Sequence, residues 1–241
     1  MTDPQPRRIS RRAAVHRRLK ENNFAYLLWG LLSFLVLIPI LRLWRSSKVD
    51  AELLRDYLPV GFSLLVLVGV WGMQADKRIF RVGLALALAQ VALAYIEQLL
   101  NLPSVRFYAA LNALAFSMLS AYLGARHVFS FRQVDKNTLM GAICIYLLLG
   151  LMFALLYAMA AYLWPENAFN GIPPHNILAE FDAFLYFSFV TLTTAGYGDI
   201  TPVNPLIRTL AFLEMITGQF YMAVLVAGLV GVFMSKHGPT E

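Results

Sequence analysis

Cysteine is almost missing from this chain of 241 residues: Cys144 is the single one, so no intrachain disulfide can form and no cysteine metal cluster exists. The four histidines, His16, His127, His175 and His237, lie far apart and show no ligand spacing, which leaves them as solvated or interfacial side chains. Charge is scarce as well, at 14% of residues against 59% hydrophobic, and mean hydropathy is +0.62. A water-soluble fold cannot hide so much apolar surface, so the composition is that of a membrane protein. Hydrolase, kinase and dinucleotide-binding motifs are absent, and so are internal repeats and low-complexity segments. Nothing in the residues points to an enzyme.

What the chain has is apolar length. Six runs come near the span needed for roughly 30 Å of hydrocarbon: residues 24–44, 57–74, 82–102, 107–124, 139–164 and 206–234. The second is short, carries Pro59 near its start, and holds Gly61, Gly69 and Gly72, which suit it to close helix contact. An even number of spans puts both termini on one side, and basic residues choose that side. Fourteen of the 20 Lys and Arg residues fall in the N-terminal tail, the second and fourth loops, and the end after the last span. Both termini are therefore expected to be cytoplasmic. Residues 1–23 form a basic tail suited to topology control and to contact with anionic lipid, rather than to nucleic acid. The run that follows is too long for a signal peptide and lacks a small-residue cleavage site. Trp44 and Trp164, at the outer ends of their runs, fit an interfacial aromatic belt.

Between the fifth and sixth runs lies Thr191-Leu192-Thr193-Thr194-Ala195-Gly196-Tyr197-Gly198-Asp199. A bare cation crosses a bilayer only where protein oxygens replace its hydration water, and a row of backbone carbonyls can do this. Aiming successive carbonyls at one axis demands conformations that side chains resist, which suits glycine at 196 and 198. Thr194 adds a hydroxyl oxygen below the carbonyls of Thr194, Ala195, Gly196 and Tyr197, and Asp199 puts an acidic group at the mouth. Upstream, residues 179–192 read as an apolar helix too short to span, with Asn176 as a cap and Glu180 and Asp182 in its first turns. Its negative dipole end would face the membrane centre and favour a cation.

These residues resemble the selectivity filter of the tetrameric potassium-channel family, Thr-x-x-Thr-x-Gly-Tyr-Gly-Asp, at every specified position. The family most often has valine where this chain has Ala195; the carbonyl is kept and bulk behind the filter is lost. The resemblance implies K+ as the permeant ion, bound at Thr194, Ala195, Gly196, Tyr197 and Gly198, with no cofactor. It also implies a homotetramer, since one filter strand cannot encircle an ion. The expected fold is an all-α membrane protein, six transmembrane helices plus a re-entrant pore helix and filter. A four-helix region covers 24–128 and a pore domain covers 139–235, with outer helix 139–164, pore helix 179–192, filter 194–198 and inner helix 206–234. Between Phe107 and Gly124 there is no Lys or Arg, so a voltage sensor of the arginine-rich kind is not expected. With few residues after Met234, the nucleotide- or calcium-binding domain found on many members of that family is not expected here.

Gly218 lies twenty residues after Gly198, where the family commonly has a hinge glycine, and Gly228 and Gly231 follow it. If Gly218 faces the pore, helical spacing puts Gln219, Met222, Val226 and Val230 along the cavity and a dewetting gate. Glu214, one turn earlier, is costly in lipid and must find a buried partner. In the third and fourth runs, Gln90, Glu97 and Asn112 read as polar glue between helices, with interfacial water or Arg106 as alternative partners for Glu97 and a proton or ligand sensor as the sharper alternative. The primary expectation is a K+-selective channel of the plasma membrane. The alternatives are a weakly selective cation pore, motivated by Ala195, and a non-conducting scaffold or auxiliary subunit that keeps the pore fold.

Overall fold

The computed structural model describes residues 23–45, 77–100, 102–129, 136–172 and 181–236. In chain order these form α1 (Asn23–Arg45), α2 (Lys77–Leu100), α3 (Pro103–Phe129), α4 (Lys136–Leu163), a 3-10 turn (Pro165–Asn167), β1 (Phe169–Asn170), α5 (Phe181–Leu192), β2 (Thr201–Pro202) and α6 (Pro205–Lys236). The second apolar run, the cap at Asn176 and Glu180 lie outside the described residues. Among the described residues three helical stretches are long and apolar enough to cross a membrane: Lys77–Glu97, Ser104–Arg126 and Asn137–Leu163. Phe181–Leu192 is a shorter apolar helix, and Phe24–Leu37 is an apolar stretch within α1. The 32 residues of α6 rise about 48 Å at 1.5 Å each.

After Lys136, α4 has no charged residue to keep in water, so every face is free to bury. It contacts α1, α3, α5 and α6. Ala154, Ala158 and Ala161 recur at helical spacing and are almost fully buried, which lets neighbouring helices approach closely. Leu148, Leu151, Leu155 and Tyr157 fill the same core with Leu31 of α1, Phe116 of α3 and Phe184 of α5. Tyr157, Phe169, Phe184 and Phe187 stack edge to face, with centroids 5.0 to 5.8 Å apart, and lock the outer part of α5 against α4.

The polar residues of α2 and α3 pair across the helix contact. Asn112 Nδ2 donates to Gln90 Oε1 at 2.7 Å and to the Leu86 carbonyl at 3.0 Å. Arg106 Nε donates to Glu97 Oε1 at 2.7 Å. Of the partners open to Glu97 in the sequence, Arg106 is therefore one that it has.

Antiparallel β1 and β2 place Phe169 opposite Pro202 and Asn170 opposite Thr201. Val203 N donates to the Ala168 carbonyl at 2.9 Å, closing this ribbon over the loop after Asp199. Pro205 opens α6 where its missing N–H costs nothing, and Asn204 Oδ1 caps it by accepting from Leu206 N at 2.9 Å. Arg208 Nε donates to the Pro202 carbonyl at 2.9 Å, so its role here is to tie α6 to β2.

Candidate functional site

α5 buries Phe184, Leu185, Phe187, Ser188, Thr191 and Leu192, and Asp182 sits in its first turn where an anion suits the helix dipole. Its C-terminal carbonyls would be orphans in a free helix. The following loop satisfies them. Thr193 N donates to the Phe189 carbonyl at 3.1 Å, Thr194 N to Thr191 at 2.9 Å and Ala195 N to Val190 at 2.9 Å. Thr193 Oγ1 adds a 2.7 Å bond to Phe189. Four bonds thus fasten the start of the Thr194–Gly198 segment to the helix end.

From there the backbone alternates. Thr194, Gly196 and Gly198 have φ of 58°, 57° and 80°, while Ala195 and Tyr197 between them stay at negative φ. In an ordinary strand successive carbonyls point opposite ways; left-handed residues at every second position turn the peptide units towards one side. Glycine meets this demand at two of the three sites, and Thr194 alone bears a side chain at positive φ, a conformation that costs a β-branched residue about 1–3 kcal/mol. All five residues are exposed, and Tyr197 is 73% exposed. A cavity of about 320 Å³ lies between α5, this segment and α6, lined by residues that include Tyr186, Val190, Thr194, Asp199, Arg208 and Met215.

Two side chains brace the segment at its ends. Tyr186 of α5 donates its hydroxyl to Asp199 Oδ2 at 2.9 Å. At the inner end, Gln219 Nε2 donates to Thr194 Oγ1 at 3.1 Å, so Gln219 lies directly beneath the five-residue segment. Met222 is exposed one turn further along α6. The side chains of Val226 and Val230 lie outside the described residues.

Gly218 sits in uninterrupted helix and is buried. A Cβ there would run into the carbonyl oxygen of Leu192, the last residue of α5, and would come within 3.1 Å of Leu192 Cδ1. The missing side chain thus serves close approach between α6 and the end of α5. Gly228 and Gly231 have nothing within 4 Å of such a Cβ.

Glu214 finds both partners inside its own chain. Tyr157 of α4 donates to Oε2 at 2.6 Å, and Ser188 of α5 lies 2.5 Å from Oε1. None of Tyr157, Ser188 and Tyr186 was singled out from the sequence. Their hydroxyls carry no spacing signal inside apolar helices, and only the buried Glu214 announced that donors were needed.

Comparison with known proteins finds the same segment. The family described as "Ion channel" matches residues 142–235. Two-pore potassium channel 5 of Arabidopsis thaliana is 32% identical over 100 residues, covering 40% of this chain and 22% of its own length. Two-pore potassium channel 2 of the same plant is 26% identical over 132 residues, covering 53% and 27%. Voltage-gated potassium channel of Aeropyrum pernix is 34% identical over 87 residues, covering 35% and 27%. The chain thus spans about a quarter of the length of these relatives. No solved structure matches.

Proposed function

We propose that the protein conducts K+ passively and selectively through a pore built by four identical copies, a reading supported by the match of residues 142–235 to an ion-channel family and by the similarity of this chain to potassium channels. The protein is a membrane channel component and not an enzyme. The observation that carries the selective-pore reading is the alternation of left-handed backbone at Thr194, Gly196 and Gly198. It supports a stack of carbonyls from Thr194, Ala195, Gly196 and Tyr197 that coordinates dehydrated K+ around a shared axis. One chain supplies one wall, and the exposure of Tyr197, Phe212 and Phe220 supports further copies of this chain closing the ring.

In this reading the chain crosses the plasma membrane six times with both termini cytoplasmic, and the basic tail meets anionic lipid. Asp199 stands at the outer mouth, held by Tyr186. Below the filter, Gln219, Met222, Val226 and Val230 line the cavity and the lower path, and bending at Gly218 opens it. Any bend there parts Gly218 from Leu192 at the filter base, which ties the gate to the filter mechanically.

Purified protein in planar bilayers under opposing K+ and Na+ gradients tests the proposal. A reversal potential near the K+ equilibrium value is expected. A value near zero favours the weakly selective pore that Ala195 motivates, and absent conductance across varied stimuli favours a scaffold.

A further inference from the structure

Conduction does not explain a carboxyl group sealed behind the filter. Glu214 is 0% exposed in a single chain, so neither water nor a neighbouring copy can touch it. None of the described Lys, Arg or His residues pairs with it. Three short contacts meet at this point: Glu214 Oε1 to Ser188 Oγ at 2.5 Å, Ser188 Oγ to the Gly150 carbonyl at 2.7 Å, and Tyr157 Oη to Glu214 Oε2 at 2.6 Å.

Counting hydrogens decides the state of the group. Three contacts between oxygens need three hydrogens. Ser188 and Tyr157 bring one each, and the Gly150 carbonyl brings none. If Glu214 were ionised, two hydrogens would have to serve three contacts. Ser188 has a single hydroxyl hydrogen, and pointing it at the Gly150 carbonyl leaves the contact with Glu214 Oε1 without one. An ionised carboxylate without a cation, shut away from water, is also costly.

We infer that Glu214 is a neutral carboxylic acid that positions the pore helix: its O–H donates to Ser188, Ser188 donates to the Gly150 carbonyl, and Tyr157 donates to the second oxygen of Glu214. Every donor and acceptor in the group is then satisfied. The chain of bonds links α6 through α5 to α4 two residues before Val190, the carbonyl that holds Ala195 N. It fixes the helix that carries the filter against both long helices of the pore. As a role in selectivity this rests on the conduction reading above; the protonation state does not.

Two measurements separate those parts. The infrared difference spectrum of wild type minus Glu214→Gln, taken in lipid, should show the carbonyl stretch of a protonated carboxylic acid. Carboxylate bands in its place overturn the inference, whether or not the protein conducts. In bilayers, Glu214→Gln presents an amide N–H₂ to Ser188 and a C=O to Tyr157, mimicking the neutral acid. Its K+/Na+ permeability ratio should stay within about twofold of wild type. Glu214→Leu leaves the Tyr157 hydroxyl buried without an acceptor and should lower the ratio by roughly tenfold or more. Ser188→Ala is a smaller lesion in the same relay and should fall between them. A Gln variant as impaired as the Leu variant, or Leu and Ala variants that both match wild type, overturns the positioning role. A wild type that carries no current defeats the channel reading instead and leaves the spectrum to decide the proton.

Discussion

Replacing Gly218 with alanine tests how α6 meets the filter base. The added Cβ would overlap the Leu192 carbonyl oxygen, which is backbone and cannot rotate away. Ordinary contact lies near 3.5 Å, so α6 must retreat by roughly 1 Å at this point. Overpacking of this kind costs about 1–3 kcal/mol. Alanine returns up to about 1 kcal/mol in helix propensity. The net expectation is a loss of up to about 2 kcal/mol per subunit when the full helix propensity is returned. The retreat also stretches the neighbouring 3.1 Å bond from Gln219 to Thr194, which braces the inner end of the filter. Gly30→Ala is the control, because a Cβ at Gly30 has nothing within 4 Å. Thermal unfolding of the purified assembly should show Gly218→Ala melting below wild type and Gly30→Ala at or above it. In bilayers the first variant should lose K+ over Na+ selectivity while the second keeps it. If Gly218→Ala melts with wild type and selects K+ equally well, the close approach of α6 to Leu192 does not shape the filter.

Tyr186→Phe removes the 2.9 Å bond that holds Asp199; single-channel records should show shorter conducting periods, and unchanged dwell times would mean that Asp199 needs no brace. Ala195→Val restores bulk behind a carbonyl that stays in place, so the K+/Na+ permeability ratio measured from reversal potentials should rise, and a fall would show that the smaller side chain is required. Glu97→Gln weakens the part-buried pair with Arg106, at 2.7 Å with side-chain exposures of 12% and 18%. Stability in denaturant should drop by about 1 kcal/mol. The pH dependence of current should not change, because Glu97 serves to join α2 to α3 through Arg106; a shifted pH profile would make Glu97 a proton sensor.

The alternating backbone at residues 194–198 was legible in the sequence because backbone geometry leaves marks: glycines two apart, threonine before them, a short apolar helix ahead. Asp199 follows in the same run of residues, but for Gln219 helical spacing offers only a place along a cavity, and its bond to Thr194 appears once α6 packs beside the loop. Other parts left weaker marks. The ribbon of Phe169–Asn170 with Thr201–Pro202 is two residues long on each side, too short for a period to register. The partners of Glu214 are a tyrosine and a serine 57 and 26 residues away, brought together only when three apolar helices pack. The distance of Gly218 from Gly198 suggests a hinge, whereas its surroundings also give it a packing role against Leu192 that sequence periodicity does not show.

The central claim is that four copies of residues 194–198 surround dehydrated K+ with peptide oxygens. A high-resolution map of the assembled protein in K+, compared with one in which K+ is replaced by a heavier monovalent analogue with a strong anomalous signal, tests it directly. The account predicts a file of cation density on a fourfold axis, with the carbonyls of Thr194, Ala195, Gly196 and Tyr197 as its nearest neighbours and the heavier ion at the same positions. Segments lying apart from any shared axis, with no cation density between them, would contradict it.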